Sequence, residues 1–324
     1  MSVNSLIQNR IIKPLKVFTL DCKNKNVKLG FNRVLASFFH GTGIAISAGK
    51  RCRTIVKETL EKEYADILKK YNNYSAKTSY DPQAPVWVLW LQGYDNAPPI
   101  VKKCIDSIKA GTSHPVHLLT SDNISDYIAL PDYITEKYSK GIITHAQMSD
   151  IIRMSLLAEY GGIWIDATVY VPIAIPESVF QGEFYTCKRK SEIEDYYISG
   201  YKWTSFINGC QKGCVIQIAM RELFFEYWKK NDYLIDYLLV DFFMLAVYNN
   251  ISYAKELIDN LPYNQPQLET LQEIMSQPYN EQKYKEITEN SNTDMFKLSW
   301  RMNFKKETEN GQQTFFGHFL EGRS

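Results

Sequence analysis

The stretch His145–Val169, HAQMSDIIRMSLLAEYGGIWIDATV, constrains this chain more than any other. An apolar-periodic run opened by Ser149-Asp150 predicts a helix in which Ala146, Asp150, Arg153 and Leu157 share one face. A carboxylate and a guanidinium are thereby presented together at its start. Gly161-Gly162 predicts a left-handed C-cap and a sharp reversal. Beyond it, Ile163 to Val171 alternates until Pro172 and predicts one strand. Ile163, Ile165, Ala167, Val169 and Val171 point one way; Trp164, Asp166, Thr168 and Tyr170 point the other. Asp166 and Thr168 then face the same side, and two oxygen ligands near a strand end suit a hard divalent cation held against a diphosphate.

Composition allows a large core. With 324 residues, 45% hydrophobic and 14% aromatic, the chain predicts one large domain or one domain with appendages. The formal net charge of +1 hides an asymmetry. Residues 1 to 57 hold eleven Lys or Arg and one acid, Asp21, a balance of +10; the rest holds 26 basic and 35 acidic residues, a balance of −9. So basic an arm predicts a polyanionic partner or a solvated tail. Phe31, Val34, Leu35, Phe38, Phe39, Ile44 and Ile46 are interleaved with Arg33, Lys50, Arg51 and Arg53, which favours an anionic membrane surface. No nucleic-acid motif accompanies the charge, so no nucleic-acid partner is expected.

No run approaches the ~20 apolar residues needed to span a bilayer. Leu234 to Ile251 is interrupted by Asp236 and Asp241 and reads as a buried amphipathic helix, with Asp241 at its polar edge rather than turned inward. The N-terminus lacks an uninterrupted apolar segment and a small-residue cleavage site, so the expected location is cytoplasmic, peripheral on the inner face of the membrane. Six cysteines are scattered without a repeating spacing; reduced thiols are expected rather than a metal shared by Cys210 and Cys214.

An α/β core is predicted from residue 85. Val86 to Leu91 reads as a strand covered on both faces, Pro98 or Pro99 opens a helix to Lys109 ended by Gly111, and Val116 to Thr120 is a second strand. Right-handed crossover makes these strands parallel neighbours, with ligand at their C-terminal ends. Trp90 and Gln92 end the first strand and Asn123 follows the second, so all three are candidates for one crevice. Trp90 is otherwise a core residue, and Asn123 a turn residue bonding its own backbone. Further on, Gly182 to Lys188 is a strand, Val215 to Lys230 a helix, and Asp232 to Asn249 a helix capped by Asp232. Residues 260 to 300 read as short surface helices and loops.

Ser149-Asp-Ile-Ile-Arg153 and Leu156-Leu-Ala-Glu-Tyr-Gly-Gly-Ile-Trp-Ile-Asp-Ala-Thr-Val169 resemble the bacterial capsular polysaccharide synthesis glycosyltransferases, relatives of Och1-like mannosyltransferases and of the large clostridial glucosylating toxins. Pro85-Val-Trp-Val-Leu-Trp-Leu-Gln-Gly93 and Cys104-Ile-Asp-Ser107 extend the resemblance, as does, more loosely, Trp203 to Asp241. It implies a GT-A-like nucleotide-sugar-binding fold with a Rossmann-like mixed sheet and helical additions at both ends. The division expected is a basic, largely helical segment over 1–84 and a catalytic domain over 85–324.

The resemblance also implies a hexosyltransferase. A nucleotide-sugar donor, a UDP-sugar by expectation, would pass its sugar with retention to a glycan or lipid-linked oligosaccharide acceptor. Asp150 and Arg153 match positions that touch donor sugar and diphosphate, and Trp90, Gln92, Asn123 and Asn208 fall at the expected donor crevice. Asp166 matches the first acid of a metal-binding D-x-D, implying Mn²⁺ or Mg²⁺. Its second acid is Thr168, so cation binding is expected to be weakened or to recruit another ligand, Asp150 or His318; His318 reads otherwise as a surface histidine near a terminus. The rival readings are a nucleotide-sugar hydrolase or phosphotransferase, and a membrane-docked scaffold weakened in catalysis.

Overall fold

Amphipathic segments bury their apolar stripes wherever a partner surface is offered, and the basic arm does so here. In the computed structural model, which describes residues 12–74, 78, 80–190 and 197–321, the arm and the residues that follow it form α1 (Lys13–Lys23), α2 (Val27–Phe38), α3 (Gly43–Glu63) and α4 (Ala65–Asn72). Thr42 caps α3 by accepting the Ala45 N–H. Leu29, Val56, Leu60, Tyr64, Leu68 and Tyr71 are buried in one core with Trp87, Trp164 and Phe243. The described part of the arm is therefore no solvated tail. Arg33, expected at a membrane surface, turns inward: it pairs with buried Asp21 at 2.9 Å and with Asp236 at 3.2 Å, and donates to the Ile235 carbonyl. Asp21, otherwise a lone acid out of water, needs that partner.

The sheet follows. β1 (Val86–Leu89), α5 (Pro99–Ala110), β2 (Val116–Leu119), α6 (Asp132–Ser139), α7 (His145–Tyr160) and β3 (Gly162–Ile165) build its parallel part. β4 (Val169–Tyr170), α8 (Ser178–Gln181), β5 (Phe184–Thr186) and β6 (Ile207–Cys210) come next. The five-stranded order is β2-β1-β3-β6-β5. β1 pairs parallel with both β2 and β3, whereas β6 runs antiparallel to β3 and to β5. Successive side chains serve opposite faces: Trp87 and Trp164 enter the core shared with the arm, and Val86, Val88, Ile163 and Ile165 enter a second core under α5. The chain adds β2 on one side of β1 and β3 on the other, both parallel to it, so the C-terminal ends of β1 and β3 flank a natural crevice.

Helices α9 (Val215–Lys230), α10 (Leu239–Asn250) and α11 (Ser252–Asp259) pack behind the sheet, and α12 (Thr270–Ile274), α13 (Glu281–Glu289), β7 (Phe296–Lys297) and α14 (Phe315–Glu321) complete the chain. α9 matches its expected range; α10 does not. It starts at Leu239, because Asp232 pairs with Lys137 at 2.8 Å and Asp236 caps the approach by accepting the Leu238 N–H. α7 starts earlier than expected, at His145, with Thr144 as its cap, so Asp150 lies in the helix body. The apolar period alone cannot locate that start, since Gln147 and Met148 are already buried.

The strand expected over Ile163–Val171 is broken. Asp166 accepts the Val169 N–H in a turn, and β4 leaves the main sheet to pair antiparallel with β7 in a separate two-stranded one. Asp favours the first position of such a turn. At the reversal before β3, Gly161 has φ 72° and ψ −150° rather than a left-handed helical cap, and Gly162 has φ 86°. A Cβ on Gly162 would stand 2.1 Å from the Pro85 carbonyl oxygen. Only glycine lets β3 begin that close to the chain entering β1.

Candidate active site

Three elements converge at the C-terminal end of β3. α7 supplies Asp150 and Arg153, one turn apart on one face, and their side chains meet at 3.1 Å. The turn after β3 supplies Asp166, 3.3 Å from the other Arg153 terminal nitrogen. The Arg153 guanidinium also lies over the Trp164 ring, 4.9 Å from its centroid, while Trp164 donates its indole N–H to Asp166 at 2.9 Å. Arg153 is thus held from three sides. Its Nε has no partner among the described residues although it is buried, so one donor is left over at the heart of the site.

Asp241 was expected at the polar edge of its helix. It faces inward instead, because α10 packs among α3, α4, α9 and α11 and aims it at Trp203, whose indole N–H it accepts at 3.0 Å. Burial pushes its carboxyl above the usual range, an effect partly offset by that hydrogen bond and by Arg153. Asp150 goes further: burial raises it to about 7 against the opposing pull of Arg153, with Asp166 and Asp241 adding to the rise. Asp166 moves the other way. Burial opposes its charge, but Lys297, Arg153 and the Trp164 N–H together hold it below the usual carboxylate range. Neighbouring acids pushed in opposite directions are a mark of functional sites.

Lys297 carries no sequence signal beyond being a lone cation among buried Met295, Phe296 and Leu298. β7 brings it opposite Val169. Its Nζ donates to Asp166 Oδ2 at 3.0 Å and to Thr168 Oγ1 at 2.6 Å. Asp166 and Thr168 do converge, as expected of them, but upon a lysine. The seat expected for Mn²⁺ or Mg²⁺ is spanned by an ammonium, and both oxygens of Asp166 already accept from cationic or N–H groups. Such a donor set does not fit a resident divalent cation, which takes six or so oxygen ligands with carboxylates prominent among them. Among the described residues no group of three or more His, Cys, Asp or Glu is arranged to hold a metal. His318, the other expected helper, stacks on Tyr279 with ring centroids 3.8 Å apart and serves packing.

Of the residues expected at the donor crevice, Trp90 follows β1 and meets Trp300 edge to face at 5.7 Å. Its buried indole N–H has no partner among the described residues. Gln92 is exposed, and its carbonyl accepts from Asn96. Asn123 spends its amide on its own turn, accepting the Thr120 N–H at 2.8 Å and donating to the Leu118 carbonyl at 3.1 Å. Asn208 sits on β6 opposite Trp164, donates to the Thr204 carbonyl at 2.6 Å, and keeps a buried Oδ1 without a partner among the described residues. All six cysteines are free thiols.

The family profile described as capsular polysaccharide synthesis protein matches residues 42–319. An O-glycosyltransferase, braB of Annulohypoxylon truncatum, is 35% identical over 92 residues, which cover 25% of this chain and 22% of that relative, so the likeness spans under a quarter of the relative's length. Among solved structures, a chain titled PaToxG Glycosyltransferase shares 14% identity at a TM-score of 0.39, over 64% of this chain and 83% of that one.

Proposed function

The chain belongs to the capsular polysaccharide synthesis protein family, and from that premise we propose that it is a glycosyltransferase. It moves a hexose from a nucleotide sugar, a UDP-sugar by preference, to a glycan or lipid-linked acceptor of capsular or other surface polysaccharide. The observation that carries this reading is Arg153, a cation fixed by Asp150, Asp166 and the Trp164 ring with one N–H to spare.

The chemistry asks for such a group. As the anomeric C–O bond breaks, its electron pair passes to the terminal phosphate oxygen of the leaving nucleoside diphosphate, and Arg153 stabilises the charge that develops. The acceptor hydroxyl bonds to the anomeric carbon and gives its proton to that diphosphate. Attack on the leaving-group face retains configuration and needs no separate protein base; this stereochemistry rests on the family resemblance. Asp150 grips sugar hydroxyls, and the unpartnered atoms of Trp90 and Asn208 are available to the donor.

The acceptor end of the reading is a protein lying on an anionic membrane surface by α1 to α3, on the cytoplasmic side. Its support is exposure: Phe31, Phe38, Phe39, Ile44 and Ile46 are between 44% and 65% exposed. No described helix is long and apolar enough to cross a membrane. The decisive test offers a panel of nucleotide sugars with oligosaccharide acceptors and analyses the products. A glycoside plus nucleoside diphosphate is expected. Free sugar alone, in the presence of a competent acceptor, would make the protein a hydrolase, and no turnover with any donor would favour a scaffold.

A further inference from the structure

We propose that Lys297 does the work expected of a divalent cation, so that this glycosyltransferase stabilises its leaving diphosphate with Lys297 and Arg153 and needs no metal. The proposal rests on the glycosyl-transfer reading above and concerns the same site.

Three observations carry it. First, position: the ammonium bridges the two oxygens, Asp166 Oδ2 and Thr168 Oγ1, that a cation would bridge, at 3.0 and 2.6 Å. The contact is built in by backbone as well as side chain, since β7 pairs with β4 while the Leu298 N–H donates to the Thr168 carbonyl. The Phe206 ring, 4.9 Å from Nζ, limits where the side chain can go. Second, charge: Thr168 brings no second carboxylate for a cation to neutralise, and Lys297 already sets a positive charge between the two oxygens. Third, capacity: an ammonium has three N–H donors, of which Asp166 and Thr168 take two, and its side chain is 24% exposed beside a 28% exposed Asp166. One donor remains for a phosphate oxygen arriving from solvent.

The consequence for the reaction is specific. When the anomeric C–O bond breaks, the electron pair moves onto a diphosphate oxygen held between Lys297 and Arg153. Asp166 then acts as a positioning residue, pinning both cations through its two oxygens. Its depressed carboxyl keeps that pin charged over the working pH range. Lys297 is expected to contact the diphosphate, and Thr168 to fix the rotamer from which it does so.

The wild-type protein provides a test needing no variant. Uridine diphosphate and guanosine diphosphate are titrated into it calorimetrically in excess chelator, then in Mn²⁺, and turnover is followed under both conditions. Binding and turnover that persist in chelator are expected, with less than about a threefold change on adding Mn²⁺, since the site offers a cation no adequate donor set. Lys297→Met, checked for an unchanged melting transition, should lose about 10²-fold or more in turnover and weaken diphosphate binding in chelator, as removal of one positioned charge does. Lys297→Arg should recover part of both. The double variant Thr168→Asp with Lys297→Ala should regain turnover in Mn²⁺ alone. Diphosphate binding and turnover that require Mn²⁺ in the wild type, or are untouched by Lys297→Met, overturn the role of Lys297 and leave the glycosyltransferase reading standing. Absence of binding to any nucleotide under either condition overturns both.

Discussion

At the scale of single residues, Arg153 and Asp150 separate two kinds of contribution. Arg153 is a fixed cation, so Arg153→Ala should cut turnover by about 10²-fold or more in steady-state assays while the folded protein persists. Arg153→Lys should restore only part, because a point charge cannot reach Asp150 and Asp166 with a planar fork. Wild-type rates from a folded Arg153→Ala protein would end its assignment. Asp150 is a titrating group. Its carboxyl is raised by burial from 3.8 to about 7, so between those values the folded chain holds a proton that the unfolded chain has released. Its contribution to stability is therefore complete below the lower value and is lost as pH rises through the upper one. Asp150→Asn removes that dependence, and its melting temperature should gain on wild type between about pH 4 and about pH 7. A pH-independent difference would contradict the burial-raised carboxyl. If the charged form grips the sugar, wild-type turnover should climb through the same upper value and the Asn variant should not.

At the scale of elements, the reversal between α7 and β3 is the part of the scaffold with least freedom. Gly162→Ala forces a Cβ toward the Pro85 carbonyl at a positive φ, and should destabilise by about 1–3 kcal/mol or more in urea unfolding. Gly49 makes the control, since it lies within α3 with nothing within 4 Å of an added Cβ. Gly49→Ala should stabilise by up to about 1 kcal/mol, the helix preference for alanine. Equal effects at the two glycines would mean that close approach at β3 matters little. The turn at Asp166 is the second critical element, because it ends β3, releases β4 to pair with β7, and so delivers Lys297 to the site. Read as one long strand, the same residues gave the facing of Asp166 and Thr168 correctly and missed the break, since alternation in sequence does not reveal where a strand changes sheets.

At the scale of the whole molecule, the arm shares a core with the sheet and carries apolar side chains outward at the same time. If it docks on anionic lipid, the protein should co-sediment with vesicles containing acidic phospholipid, and less so as salt rises. Lys16, Lys23, Lys25 and Lys28 are exposed, and changing all four to Gln should release it, at about 1 kcal/mol for each charge near the surface. Turnover on a soluble acceptor should survive, and binding indifferent to both salt and charge would assign the exposed face to a protein partner. The expected boundary at residue 85 meets a shared core here, because packing between α3, α4 and the helices behind the sheet joins what composition set apart. The sequence by itself determined the pairing of Asp150 with Arg153, the glycine reversal and the arrival of Asp166, because helix period and strand pleat fix side-chain direction within a few residues. Only the tertiary structure decided that Asp241 turns inward, that Asn123 is consumed by its own turn, and that Lys297, 131 residues beyond Asp166, closes the site. Contacts between distant elements are settled by how all the apolar faces pack at once, and that leaves no periodic mark on the residues that meet.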